Sequence, residues 1–201
     1  MSEMPTLATK HLLIRPFEME DLTEVHRLLD IELRLSNLGA EKMETLEERA
    51  EWLKWTVLNY SQLANLHQPP YGDRAVVLRS TALLIGACGF VPCLNSFEQL
   101  PSLAPAGASD GESYYTTEFG LFYAISPAHQ RRGYATEAAR ALVDYAFQHL
   151  LLKRVLATTE YDNVASLAVM RKLGMKIDRN PRSQPTWLQA VGILENKNHA
   201  A

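Results

Sequence analysis

The stretch from Glu118 to Gly174 leaves this chain few options, because it reads as strand, glycine turn, helix, strand and helix in unbroken succession. The apolar run Phe119-Gly-Leu-Phe-Tyr-Ala-Ile125 stops at Ser126-Pro127, and the turn Gln130-Arg131-Arg132-Gly133-Tyr134-Ala135-Thr136-Glu137 follows. Beyond it Ala135, Ala139, Leu142, Val143, Ala146 and Leu150 recur at helical spacing, with Glu137, Arg140, Asp144 and Gln148 on the opposite face, so a helix opens at the turn. A strand running into such a turn leaves several unpaired backbone N–H groups converging at the positive end of the helix dipole. That is a place for a phosphate. Taken alone, Gln-x-x-Gly-x-Ala is a weak pattern that an ordinary helix start also satisfies; the strand before it and the helix after it give it weight.

The rest of the chain supplies elements to pack around this unit. Residues His11 to Arg15 form a short apolar strand ended by Pro16, and a helix then begins at Asp21 with Leu22, Val25, Leu28 and Leu29 on one face. Thr45-Leu46-Glu47-Glu48 has the form of a capping box, opening a longer helix through Trp52, Trp55, Leu58 and Leu66 that Pro69-Pro70 stops. Arg74 to Arg79 and Ala82 to Val91 form a strand pair joined by a tight turn at Ser80-Thr81. Residues 93 to 117, rich in Pro, Ser, Gly and Ala and without Lys or Arg, read as a long surface loop, either a lid over a site or a solvated insertion. Val155 to Thr159 is a buried strand reached by a βαβ crossover, which implies a parallel neighbour. Asn163 caps the next helix, Gly174 ends it, and Met175 to Ile177 with Thr186 to Leu194 make a final strand pair.

Composition narrows the class. With 201 residues, 47% of them apolar and 21% charged, the chain has the make-up of one globular domain spanning 1 to 201. A net charge of −3 offers no general attraction to nucleic acid or to an anionic membrane, so neither is expected as a partner. The N-terminus lacks the pattern of a signal peptide, and the longest apolar run, Ala82 to Leu94, is broken by Gly86, Gly89 and Pro92. A cytoplasmic protein is the expectation. Cys88 and Cys93 have no further Cys or paired His to complete a metal cage, so no metal site is expected.

Glu118-Phe-Gly, Ser126-Pro127, the turn at 130 to 137, Asn163-Val-Ala-Ser166 and Lys172-Leu-Gly174-Met175 together resemble the signature of the GNAT superfamily of N-acetyltransferases. The branch that acetylates the N-terminal amine of ribosomal proteins is the most similar. Leu12-Leu-Ile-Arg15-Pro16 and Trp187 to Glu195 extend the resemblance toward both ends, leaving residues 93 to 117 without a counterpart. The resemblance implies an α/β fold with a mixed, mostly antiparallel sheet in which two parallel strands, 119 to 125 and 155 to 160, splay apart. It implies acetyl-CoA as donor, a primary amine as acceptor and, by family analogy alone, a homodimer.

The same resemblance assigns roles. Gln130, Arg131, Arg132, Gly133, Tyr134, Ala135 and Thr136 would hold the pyrophosphate, with backbone N–H groups of Arg131, Gly133, Ala135 and Thr136 as donors. The backbone of Ala124 and Ile125 would hold the pantetheine arm, a backbone N–H near Tyr123 or Ala124 would polarise the acetyl carbonyl, and Asn163 and Ser166 would meet the cofactor. A base must take a proton from the amine. Glu118 is the first candidate, against the alternative of a strand-start Glu paired with Arg; Glu160 is the second. Many relatives place a proton-donating Tyr where this chain has Met170, which cannot donate, so Ser166, Tyr123 or water would serve the leaving thiolate. No Cys stands in a nucleophile setting, and direct attack is expected. A catalytically inactive CoA-binding sensor or assembly module is the alternative, resting on Met170.

Overall fold

The computed structural model describes residues 4–35, 45–105, 114–182, 184, 185 and 187–197. In chain order the elements are β1 Leu7–Ala8, β2 Leu12–Pro16, α1 Leu22–His26, a π-helical segment Arg27–Glu32, α2 Leu33–Leu35, α3 Leu46–Asn65, β3 Asp73–Leu78, β4 Leu84–Asn95, β5 Thr116–Ile125, α4 Tyr134–Gln148, β6 Arg154–Thr159, α5 Val164–Leu173, β7 Lys176–Arg179 and β8 Ala190–Glu195. Pairing is antiparallel for β1 with β2, β2 with β3, β3 with β4, β6 with β8 and β7 with β8, and parallel for β5 with β6 at Gly120 and Leu156. The class is therefore mixed α/β with mostly antiparallel strands and one parallel pair. The chain divides into two compact units, Met1–Phe90 with Phe122–Leu142 and Val91–Leu121 with Val143–Ala201.

In the first unit α1 and α3 cover one face of the strands. Phe17, Val25, Leu28, Leu33, Leu53, Ala75, Val77, Leu84 and Ala87 form its core, and Phe17 meets Trp52 edge to face at 5.7 Å. The capping box opens α3 as its sequence predicts: the Glu48 N–H donates to Thr45 Oγ1 at 3.2 Å and the Thr45 N–H to Glu48 Oε2 at 2.8 Å. The face that α3 buries carries Arg49, Leu53, Thr56 and Leu63, whereas Trp55, Leu58 and Leu66 are exposed. Arg49 is buried because Asp30 answers it with two hydrogen bonds, of 2.9 and 2.5 Å, and its guanidinium lies 4.8 Å from the Trp52 ring. The link between β3 and β4 is longer than the tight turn expected at Ser80-Thr81: it runs from Arg79 to Leu83, with Ala82 left-handed at φ 57°.

The second unit has the strand order β5-β6-β8-β7 around Phe97, Leu100, Leu156, Leu188, Val191 and Ile193. Here the expectation of a loop over 93 to 117 is corrected. β4 continues to Asn95, a 3-10 turn follows at Phe97–Gln99, and Phe97 and Leu100 are buried in the core. Ser102 then donates from its N–H and its hydroxyl to Asp178 at 2.6 and 2.8 Å. Two apolar anchors three residues apart on one 3-10 turn outweigh a composition that otherwise suits solvent. The remainder of the expected lid, residues 106–113, lies outside the described residues. On α5, Asn163 Oδ1 accepts from the Ser166 N–H at 3.0 Å and Gly174 ends the helix at φ 85°. Among the described residues no helix is long and apolar enough to cross a membrane.

Backbone contact in the first unit is closest where β4 carries glycine. A Cβ on Gly86 would stand 2.5 Å from the Ala124 carbonyl oxygen and 2.6 Å from Ile125 Cδ1. Since one of those atoms is backbone, rotamer changes cannot relieve the overlap. Gly86→Ala is expected to destabilise by about 2–3 kcal/mol, lowering the melting temperature by roughly 5–10 °C in a thermal scan.

Candidate active site

Candidate residues fall in both units, and each group is described within its own unit. In the first, β5 ends at Ile125 and the chain is pinned twice before α4 begins. The Ser126 N–H donates to the Ile85 carbonyl at 2.8 Å while its hydroxyl donates to Glu32, and the Gln130 side-chain amide donates to the Ile125 carbonyl at 2.9 Å. Between these pins and the helix the backbone turns left-handed at Arg131, φ 59°, and again at Gly133, φ 86°. Alternation of right- and left-handed residues gathers successive N–H groups toward one point. α4 starts immediately at Tyr134, so the N–H groups of its first turn have no partner within the helix. Arg131, Arg132 and Gly133 are exposed, and no atom lies within 4 Å of a Cβ built on Gly133. The turn is an open, electropositive cradle of backbone donors.

The opposite side of that helix start is tied down by the N-terminal strands. Glu137 Oε1 accepts from the Thr9 hydroxyl at 2.6 Å and from the His11 N–H at 2.8 Å, and Oε2 lies 2.8 Å from His11 Nδ1. Burial alone would raise the Glu137 pKa; the hydrogen bonds from Thr9 and His11 outweigh it and hold the carboxyl below its ordinary range. The carboxylate in the first turn of α4 is thus committed to Thr9 and His11. Of the two residues expected to hold a pantetheine arm, Ile125 has its carbonyl taken by Gln130, and the Ala124 carbonyl lies against Gly86 of β4.

In the second unit Glu118 sits on β5 and is buried, with Arg154 of β6 bound to it. Arg154 Nε lies 3.0 and 2.9 Å from the two carboxylate oxygens and Nη2 lies 2.5 Å from Oε1. The guanidinium thereby spans the parallel strand pair at one end, and it also lies 3.5 Å from Glu195 of β8. Glu160 is exposed; Asn163 and Ser166 are half-buried at the start of α5. Met170 is buried, and a Cβ on Gly192 of β8 would meet its sulfur at 3.1 Å. The residue at this position fills core space beside a glycine. Among the described residues no group of three His, Cys, Asp or Glu side chains could hold a metal ion.

One group in the first unit escaped the sequence. Asp73 opens β3, is half-buried, and among the described residues no hydrogen bond or ion pair reaches its carboxylate. Burial pushes its pKa up to about 6. Its main-chain oxygen accepts from the Tyr60 hydroxyl at 2.6 Å, and that hydroxyl accepts from the Phe17 N–H at 2.9 Å. One turn back on α3, the Thr56 hydroxyl is buried and has no hydrogen-bond partner among the described residues. In sequence Asp73-Arg74 looks like any polar flank of a strand.

A turn of this geometry between a strand and a helix, followed by a parallel neighbouring strand, is what acetyl-CoA-dependent transferases of one large family share. The family model for the acetyltransferase (GNAT) domain matches residues 11–176, and the chain belongs to that family; it is an acyltransferase. It is similar to the uncharacterised N-acetyltransferase YnaD of Bacillus subtilis, at 29% identity over 170 residues that span 85% of this chain and 82% of that protein. It is also similar to the spermidine N(1)-acetyltransferase of Escherichia coli, at 25% identity over 165 residues spanning 82% of this chain and 73% of that one. In fold it matches the ribosomal-protein-S5-alanine acetyltransferase of Vibrio fischeri with a TM-score of 0.68 at 13% identity, covering 97% and 98% of the two chains.

The position of Asp73 has a consequence for stability. Its folded pKa, about 6, lies above the roughly 3.9 of an unfolded Asp. The folded state therefore binds the proton more tightly, and this contribution is fully present below about pH 4 and lost as pH rises through about 6. Asp73→Asn is expected to exceed wild type in stability at pH 8 by on the order of 2 kcal/mol, with the advantage vanishing toward pH 4. Denaturant titrations at the two pH values check both the size and the sign.

Proposed function

We propose that the chain acts as a single catalytic domain that moves acetyl from acetyl-CoA to a primary amine by direct attack. The observation that carries the reading is the turn at 130 to 136, where two left-handed residues and a helix start leave exposed N–H groups gathered together. Gln130 fixes the turn to the end of β5. Backbone groups of Arg131, Gly133, Tyr134, Ala135 and Thr136 receive the pyrophosphate, and the exposed Arg131 and Arg132 add charge-assisted contacts. Asn163 and Ser166 belong to the same proposal through the family resemblance, as does the backbone of Ala124 and Ile125.

In the reaction the amine lone pair forms the C–N bond, the thioester carbonyl becomes an oxyanion, and the C–S bond breaks to release CoA thiolate. Proton removal from the ammonium is the step for which Glu118 was the first candidate. Both of its oxygens are held by Arg154, so turning one toward an incoming amine means giving up hydrogen bonds across the strand pair. The arrangement favours a role in joining β5 to β6 over proton abstraction. Met170 carried the alternative of an inactive module; its burial against Gly192 explains the residue by packing, so it lends that alternative no support.

Two measurements test this reading. Gly133→Asp places a carboxylate where the phosphates belong and should weaken acetyl-CoA binding at least about thirtyfold by calorimetry, with a stability loss of only about 1 kcal/mol for a side chain at positive φ. Unchanged affinity would rule the turn out as the phosphate site. Glu118→Gln should reduce kcat less than about tenfold while lowering the melting temperature, since it leaves Arg154 short of its counter-charge. A loss in kcat beyond about a hundredfold with the melt unchanged would instead assign Glu118 the role of base.

A further inference from the structure

In the first unit α1 runs into a π-helical segment, Arg27–Glu32, and the widening decides what two of its side chains reach. In an α-helix residues five apart point about 140° away from each other, whereas in a π turn, with its i→i+5 hydrogen bond, they stack. Here the Leu33 N–H donates to the Leu28 carbonyl, and Leu28 and Leu33 both enter the core. The same offset sets Glu32 over Arg27, whose Nη1 donates to Glu32 Oε1. Arg27 Nη2 donates to the Leu84 carbonyl of β4 at 2.9 Å, and Glu24 holds the same guanidinium at 3.1 and 2.8 Å. Glu32 Oε2 accepts from the Ser126 hydroxyl. The π turn is thus docked on the first residue of β4 and on the residue that follows β5.

We propose that Glu32 is a positioning residue for the donor: through Ser126 it sets the path of the turn at 130 to 136, and acetyl-CoA binding depends on it. This rests on the reading above, in which that turn receives the pyrophosphate. Ser126 is 1% exposed, so its hydroxyl takes its acceptor from the protein, and Glu32 supplies it. The Ser126 N–H is committed to Ile85, so both of its donors are fixed. Its carbonyl accepts from the His129 N–H at 2.8 Å and starts the 3-10 turn Pro127–His129. That turn delivers Gln130 to the Ile125 carbonyl and the chain to the left-handed residues Arg131 and Gly133. A rotation at Ser126 therefore displaces every donor downstream, and an N–H group serves a phosphate only at hydrogen-bond distance. Both Glu32 oxygens are occupied, by Arg27 and by Ser126, so its part is to hold the turn and not to move a proton.

The test is calorimetry of the full chain with acetyl-CoA, dephospho-CoA and pantetheine, for wild type, Glu32→Ala, Glu32→Gln, Ser126→Ala and the double alanine variant. Glu32→Ala and Ser126→Ala should each weaken acetyl-CoA and dephospho-CoA about tenfold and leave pantetheine within about twofold, because only the pyrophosphate meets the turn. The double variant should bind within about twofold of the weaker single one, as two residues acting through one hydrogen bond do. Glu32→Gln keeps an oxygen for the Ser126 hydroxyl and should stay within about threefold of wild type. Variants that melt lower yet bind acetyl-CoA as wild type does would show a purely structural role and overturn the assignment. Losses that add in the double variant, or that extend equally to pantetheine, would overturn it too. Arg27 keeps Glu24 when Glu32 is removed, and Ser126→Ala deletes a single oxygen, so Ser126→Ala decides the matter if Glu32→Ala does not fold. Affinity lost in Gly133→Asp but kept in Glu32→Ala and Ser126→Ala sinks the positioning role alone; affinity kept in Gly133→Asp removes the phosphate site and the role with it.

Discussion

A helix that begins directly after a left-handed glycine must find partners for the N–H groups of its first turn, and in this chain that demand falls at the surface. Arg131 and Gly133 both take positive φ, and Gly133 leads without an intervening cap into α4. A capping side chain would have satisfied the helix internally, as Thr45 does for α3 and Asn163 for α5. α4 instead offers its donors outward, and the surrounding contacts hold the offer rigid: Gln130 to Ile125, Ser126 to Ile85, Glu137 to Thr9 and His11. An anionic ligand there, as proposed for the pyrophosphate, would complete what the fold leaves open.

Carboxylates in the structure divide by how they are answered. Asp30 is buried with Arg49 and His26 on it; burial raises its pKa, and the hydrogen bonds from Arg49 and His26 overcome that and lower it. Glu137 has Thr9 and His11, and Glu118 has both oxygens on Arg154. Each of these behaves as a structural group, since moving its proton or its charge means giving up hydrogen bonds each contributing on the order of 1.5–3 kcal/mol. Asp73 stands apart because burial acts on it and, among the described residues, no hydrogen bond or ion pair opposes it. Partnering, more than burial, separates these carboxylates.

What the sequence could show follows from the range of each interaction. The turn, the extent of α4 and the caps of α3 and α5 are local, set by residues within four positions of one another, and they were legible. The parallel pairing of β5 with β6 followed from the crossover. The partner of Glu118 was not legible, because Arg154 lies 36 residues away and only the register of the strands brings the two together. The stretch after Cys93 misled for a related reason: its composition suits solvent, while two residues, Phe97 and Leu100, decide that it packs. Asp73 left no trace, since a carboxylate that lacks a partner is defined by what surrounds it in space. Along α3 the large apolar residues Trp55 and Leu58 drew attention, yet the buried face carries Arg49 and Thr56.

The central claim is that the turn at 130 to 136 binds a pyrophosphate. Calorimetry comparing dephospho-CoA, which keeps the pyrophosphate, with pantetheine, which lacks it, tests the claim most directly. Several backbone and arginine contacts to a doubly charged group predict that dephospho-CoA binds at least about a hundredfold more tightly. Affinities within about threefold of one another would show that the turn contributes nothing to donor binding and would contradict the account.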